Sequence, residues 1–409
     1  MNCEGHEALL WTHRKTLSCL FTVGMSLLGV VGCSKSSNNS NETSVSNGPS
    51  QSATIGVQTL KIGVVLPYEG RFAGFGEEGK QGIDLAVQQA QDELGKRLQL
   101  SVNYEDSKGD AADAVRAFRK LADQTRVDAV IGEVLSANTL AIAPLAQELK
   151  VPLVVPASTA AGITKAGNFV MRVCFLDPEQ GSAMASFARN DLKLSRVALL
   201  YEKGNDYSAG LAKAFQSAFT ALGGRIVGES FLRGEDVDVR AQLVQIRDWQ
   251  PEAVFLPMEY PTAGQVLKQA ASVGLKIQFL GGDAWSSPEL FKIGGDAVNG
   301  SYITGHFASD STNAVVQNFV AGFKKRYGVL PSTMAALSYD AARITIDAAL
   351  RAKGTSSEKL RDALFATRNY PGVTGKITVR PNGDADKDIM IMRVQDKKFD
   401  YVGTSKAAD

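Results

Sequence analysis

Leu60-Lys61-Ile62-Gly63-Val64-Val65-Leu66 is an apolar run rich in β-branched residues, closed by Pro67 and followed after Gly76 by a segment that sets Ile83, Val87, Ala90 and Leu94 on one helical stripe. A run apolar on both faces reads as a strand buried on both sides, and the stripe supplies one of its covers. The unit recurs along the chain. A second helix, opened by Asp110 as N-cap, carries Val115, Phe118 and Leu121 on one stripe, and strands are expected at Leu98–Tyr104, Asp128–Ile131 and Leu153–Val155. A new set follows at Val197–Tyr201, Arg225–Glu229, Ala253–Leu256 and Gln278–Leu280, so the same βα series is read twice. After Gly305 the order changes: helices at Ala314–Tyr327, Met334–Arg351 and Glu358–Thr367 precede β-like runs at Val373–Val379, Ile389–Val394 and Phe399–Val402. That tail is expected to cross back between the two halves.

The fold class is therefore α/β with two Rossmann-like lobes, each with a parallel-sheet core. The chain has 409 residues, 44% of them hydrophobic, and at about 100–200 residues per domain two domains are expected. A formal net charge of +1 gives no electrostatic footprint for nucleic acid.

Arg14 and Lys15 precede an apolar run from Leu17 to Val31 that ends in Val30-Val31-Gly32-Cys33. The run is short of the roughly 18–20 apolar residues that a membrane span needs, and Thr16, Ser18, Thr22 and Ser26 weaken it further. Residues 1–32 are read as a lipoprotein signal peptide. The Val-Val-Gly-Cys arrangement resembles the bacterial lipobox, which implies that Cys33 becomes the first residue and carries lipid. Residues 33–57, rich in Ser and Asn, then form a flexible tether. The expected location is outside the cytoplasmic membrane, anchored and facing the periplasm or cell exterior.

Removing the presequence also removes Cys3, Cys19, His6 and His13, so Cys174 and His306 are the only other Cys and His. A zinc site, a Ser or Cys triad with a His base, and an intrachain disulfide each lack parts. No cofactor, metal or catalytic residue is expected, and the chain is read as a non-enzyme. Cys174, between Val173 and Phe175, is read as a small buried hydrophobe, and His306 as structural. Gly74-Phe75-Gly76-Glu77-Glu78-Gly79 matches G-x-G-x-x-G, but Pro67 to Ala73 separate it from the strand, and Glu77 and Glu78 would repel a pyrophosphate. These glycines are expected instead to shape a loop whose backbone approaches a ligand.

In open α/β sheets ligands lie beyond the carboxyl ends of the strands. The loops there hold Phe75, Ser136 and Ala157-Ser158-Thr159 in the first half, and Tyr207, Glu259-Tyr260 and Asp283-Ala284-Trp285 in the second. Hydroxyls and helix-start amides suit a carboxylate, while Asp283 and Tyr207 suit an ammonium. A zwitterion held between two lobes matches both. Ser136, Ser158 and Thr159 would also serve simply as helix caps, Asp283 as a solvated loop acid, Tyr207 as a packing residue and Trp285 as a core anchor. Glu133 could reach the cleft or serve the hinge.

Lys61-Ile62-Gly63-Val64-Val65-Leu66-Pro67 with Gly70, Val130-Ile131-Gly132, Pro156-Ala157-Ser158-Thr159, Gln265-Val266-Leu267-Lys268-Gln269-Ala270 and Gly372-Val373-Thr374-Gly375-Lys376-Ile377 occur in this order. On these stretches the chain resembles the branched-chain amino-acid-binding proteins of ABC importers, in the type I periplasmic binding-protein superfamily, over nearly everything after the tether. The resemblance implies two lobes joined by three hinge crossovers, 58–177 plus about 307–386 and 178–306 plus about 387–409, with a ligand cleft between them. It places Ser136 and Thr159, with the Ala157 backbone, at the α-carboxylate, Tyr207 and Asp283 at the α-ammonium, and Phe75 against the side chain. Glu259 or Tyr260 falls where the family often has an aromatic on the other lobe. A carboxylate there would disfavour leucine and favour a polar or cationic ligand, whereas with Glu259 turned to solvent and Tyr260 lining the pocket leucine-like ligands stay compatible. The disulfide that some members carry in the first lobe is absent, because Cys174 has no partner.

The expected function is that of an extracytoplasmic binding lipoprotein of an ABC importer, a monomer that closes on a small amino acid and presents it to permease subunits. Alternatives are a ligand sensor for a receptor, and an importer protein for short amides, urea or aromatic acids. An enzyme such as a secreted hydrolase or dehydrogenase is the remaining rival.

Overall fold

The structure, a computed structural model, describes residues 58–405 apart from 234, 235 and 237. The signal peptide 1–32, the lipidation site Cys33 and the tether 33–57 lie outside the described residues.

The first sheet contains β1 (Thr59–Leu66), β2 (Gln99–Asp106), β3 (Ala129–Gly132), β4 (Leu153–Val155) and β5 (Val170–Arg172). They are all parallel, in the order β2-β1-β3-β4-β5. The second half repeats this arrangement with β6 (Arg196–Glu202), β7 (Arg225–Leu232), β8 (Ala253–Leu256), β9 (Gln278–Gly281) and β10 (Tyr302–Gly305), in the order β7-β6-β8-β9-β10. A small antiparallel sheet of β11 (Tyr370–Gly372), β12 (Gly375–Val379) and β13 (Ala385–Asp386) comes next. Then β14 (Ile389–Gln395) joins β10 antiparallel, and β15 (Lys398–Ser405) forms the sheet's outer edge. Mixed sheets of this kind commonly carry antiparallel strands at one edge of a parallel core.

The central parallel strands are apolar because helices cover both faces, whereas the edge strands β2 and β7 are mostly half-buried and mixed in composition. Ile62, Val64, Val65, Leu66, Val130, Ile131, Val154 and Val155 are fully buried in the first sheet, and Val197, Ala198, Leu200, Val254 and Phe255 in the second. Each such aliphatic side chain contributes about 1.5–3 kcal/mol relative to exposure. Asp110 caps its helix as expected, its carboxylate accepting from Ala112 N and Asp113 N.

The glycine segment departs from the expected loop. The helix Ala73–Leu94 already contains Gly74, Gly76 and Gly79. A Cβ on Gly76 would overlap the Pro67 carbonyl, and one on Gly82 would overlap the Ala335 carbonyl of the helix Thr333–Ala352, which packs along the first helix. These two glycines are helix-packing residues that allow close backbone approach. A second departure lies near the carboxyl terminus, where Val373 and Thr374 form a turn before β12. Their amides donate to the buried Asp340 carboxylate, both at 2.9 Å, and this holds them out of the strand.

Candidate ligand-binding site

In the order β2-β1-β3-β4-β5 the connection direction reverses between β1 and β3, and in the second sheet between β6 and β8. Crevices at such switch points bind ligands. The segments leaving these strands carry Phe75, Ser136, Tyr207 and Glu259, while β4 and β9 add the neighbouring loops. A small cavity is lined by Phe75, Ser136, Ala157 and Thr159 on one side and by Tyr207, Glu259, Asp283 and His306 on the other. Val134, Leu135, Met334 and Leu337 give it an apolar surface.

On the first-lobe side Ser136 is the first residue of the helix Ser136–Leu149, whose first-turn amides have no partner within the helix. The Ser136 hydroxyl accepts from Ala160 N at 3.3 Å. Ala157 and Thr159 sit in the loop after β4, which the fully buried Arg172 braces from behind. Its Nη1 donates to Ser158 O at 3.1 Å, its Nη2 donates to Ala160 O at 3.0 Å, and its Nε lies 3.0 Å from Asp384 Oδ1.

On the second-lobe side Asp283 opens the short helical turn after β9. Its Oδ1 accepts from the Tyr207 hydroxyl and from Gln180 Nε2, each at 3.0 Å, and its Oδ2 lies 3.0 Å from His306 Nε2. Burial lowers the His306 pKa to about 4, against which the hydrogen bond to Asp283 acts only in part. The imidazole is therefore neutral at pH 7, stacked on Phe175 with ring centroids 3.6 Å apart, and donates through Nε2. A carboxylate oxygen accepts about two hydrogen bonds, so Oδ2 of Asp283 keeps capacity for a further donor from the cavity.

Glu259 is 4% exposed and precedes the helix Tyr260–Ser272. Burial, then the neighbouring Glu202, push its carboxyl up to about 7, opposed by the Asn205 amide. Asn205 Nδ2 reaches its two oxygens at 3.0 and 3.2 Å. The two halves touch at the rim of the cavity. Arg71 pairs with Glu202 at 3.2 Å and also donates to Thr262, Ser287 donates to Glu78 at 2.6 Å, and Phe75 packs edge-on against Tyr260 with centroids 4.8 Å apart.

Three expected residues stand behind the wall. Ser158 gives its hydroxyl to Glu133 O at 2.9 Å and shares a 2.6 Å bond with Thr139. Tyr260 supports Phe75, its hydroxyl donating to Arg71 O at 3.3 Å, and Trp285 is fully buried against Gly281. Glu133 is also buried and holds the turn that leads into the helix after β3, accepting from Val134 N at 2.7 Å and Leu135 N at 2.9 Å. Cys174 is buried and donates to Ser158 O, and burial pushes its thiol up to about 12. Sequence reasoning placed His306 in a structural role, whereas it faces the cavity and holds Asp283. It also missed Gln180 and Arg71, and Met334 and Leu337, which lie on a helix that follows another helix rather than a strand.

A two-lobed α/β molecule whose cavity at facing switch points joins an apolar surface to a few polar groups, with no cluster of metal-ligating side chains among the described residues, belongs to the class of proteins that enclose a small solute. The periplasmic binding protein family model matches residues 59–398, and the chain belongs to that family. It is 28% identical to the Leu/Ile/Val-binding protein BraC3 of Rhizobium johnstonii over 331 residues, 80% of this chain and 88% of that one. Among solved structures, the leucine-binding protein LivK of Thermotoga maritima superposes with a TM-score of 0.81 at 38% identity, covering 85% of this chain and 99% of that one. The branched-chain amino acid substrate-binding protein LivJ of Streptococcus pneumoniae, in complex with isoleucine, gives 0.80 at 28% identity, covering 84% and 99%. The fold is that of the type I periplasmic binding proteins, as the resemblance implied, and these relatives are substrate-binding proteins rather than enzymes. Membership implies an exported protein, and no helix among the described residues is long and apolar enough to cross a membrane.

Proposed function

We propose that the protein captures a free α-amino acid between its lobes and presents it, from a lipid anchor at Cys33, to the permease of an ABC importer. The observation that carries this reading is the polarity of one cavity: hydroxyls and a helix start at Ser136, Ala157 and Thr159 face the Asp283 carboxylate and the Tyr207 phenol. The first side suits a carboxylate and the second an ammonium. An aromatic acid would bring an anion without a cation and leave the buried Asp283 opposed to it, which is unfavourable. Binding would begin on one lobe and be completed as the other swings in, with the closed form recognised by the permease. The protein acts as a monomer in this account.

A thermal-shift screen of the purified protein against the twenty amino acids, urea, short amides and benzoates tests it, since binding to the folded state alone raises the melting temperature. The expected result is a rise with one or more amino acids. A rise with benzoates or amides alone would refute the ammonium site.

A further inference from the structure

We infer that Glu259 sets ligand choice, and that the side-chain end of the cavity is built for an amino acid whose side chain ends in a cation, an amine or guanidinium. This deepens the amino-acid reading above and rests on it. Glu259 and Asp283 both line the cavity but belong to separate networks. Asp283 is held by Tyr207, Gln180 and His306, whereas Glu259 is held with Glu202, Asn205 and Arg71. They follow β8 and β9, neighbouring parallel strands, so an ammonium at one leaves a side chain free to extend toward the other.

The charge and donor balance around Glu259 is incomplete. The groups facing it are Glu202 from the end of β6, Arg71 from the segment after β1, Asn205 and Tyr207 from the start of the helix after β6, and its own helix start. With Glu259 itself, that makes two carboxylates and one guanidinium. Arg71 is committed to Glu202, which also accepts from Thr262 at 2.6 Å. Asn205 has a single amide nitrogen with two hydrogens, yet it lies against both oxygens of Glu259 and also 3.3 Å from Glu202 Oε2. Glu259 is therefore a buried carboxylate on the cavity wall with acceptor capacity unfilled by protein donors. A ligand cation there would make a charge-assisted bond in a desolvated place. Phe75, Val134, Leu135, Met334 and Leu337 line the same cavity and would cover the methylene stem that such side chains bury. A leucine side chain at that end would instead leave the carboxylate with only the Asn205 amide and its own backbone N–H and no charged partner, or require it to take a proton.

Proton linkage gives the sign of the pH dependence. The Glu259 carboxyl is raised to about 7, so a cationic ligand selects the ionised form and gains affinity as pH rises toward and through 7. An aliphatic ligand selects the protonated form and loses affinity over the same interval.

Calorimetric titration at pH 8 with lysine, arginine, ornithine, leucine and isoleucine, on the unaltered protein and on Glu259→Leu and Glu259→Gln, decides the matter. The expected result is a basic amino acid bound roughly 30-fold or more tighter than leucine. Glu259→Leu is expected to lose that preference by a similar factor and gain leucine, with the near-isosteric Glu259→Gln intermediate and correctly folded. Below pH 7 the basic ligand is expected to weaken by up to about tenfold per pH unit. Leucine bound more tightly by the unaltered protein, with a ratio unchanged in both variants, overturns this inference and leaves the amino-acid reading standing. If the unaltered protein binds none of these five nor any other α-amino acid, both fall.

Discussion

Asp283→Ala is expected to weaken amino-acid binding by about 2–5 kcal/mol, because it leaves the ligand ammonium buried without its charged partner. Three protein donors converge on this carboxylate: the Tyr207 hydroxyl, Gln180 Nε2 and His306 Nε2, all at 3.0 Å. They fix its orientation before any ligand arrives, so little is spent on ordering it when binding occurs. Asp283→Asn keeps the shape and most of these contacts while removing the charge, so its loss isolates the electrostatic part. Calorimetry with the ligand that gives the largest thermal shift measures both variants. An unchanged dissociation constant in Asp283→Ala would remove Asp283 from the site.

The largest effect on stability is expected from Arg172→Ala. The guanidinium is fully buried, pairs with Asp384 at 3.0 Å and donates to the carbonyls of Ser158 and Ala160. Removing it strands the Asp384 carboxylate, whose side chain is 8% exposed, although Asp384 keeps hydrogen bonds from Thr164 and Asn382. Breaking a buried pair by deleting one partner costs about 3–5 kcal/mol. The same change unbraces the loop that carries Ala157 and Thr159, so affinity should fall together with stability. Equilibrium unfolding in urea measures the first effect and calorimetry the second. A combined Arg172→Met, Asp384→Asn variant should recover part of the lost stability, since two neutral groups leave no stranded charge. A loss under about 1 kcal/mol in Arg172→Ala would mean that the pair is not the brace described here.

The parallel core was legible because a strand buried on both faces has to be apolar throughout, and the runs at Leu60–Leu66 and Ala253–Leu256 match β1 and β8 to within a residue. The strands β5 and β10 were absent from the expected set, although β4 and β8, equally short, were read. The G-x-G-x-x-G segment misled for a physical reason. Glycine serves both loops that need unusual backbone angles and helices that need close approach, and only the position of Pro67 and Ala335 beside Gly76 and Gly82 separates the two. At the cavity, the rule that ligands lie beyond strand ends found Phe75, Ser136, Ala157, Thr159, Tyr207, Glu259 and Asp283 on one wall system. Ser158, Tyr260 and Trp285, expected beside them, do not line the cavity, since sequence does not say which side chains of a short segment face inward. The same rule could not find Gln180, on the helix that follows β5, or Met334 and Leu337, on a helix distant in sequence.

In the proposed function one cavity recognises both ends of an α-amino acid. Titrating the protein with its best amino-acid ligand and with the same molecule lacking the α-amino group tests it most directly. A loss of roughly 30-fold or more in affinity for the des-amino acid is the predicted result. Equal affinity for the two would contradict the account, because Asp283 and Tyr207 would then face a ligand that has no ammonium to offer them.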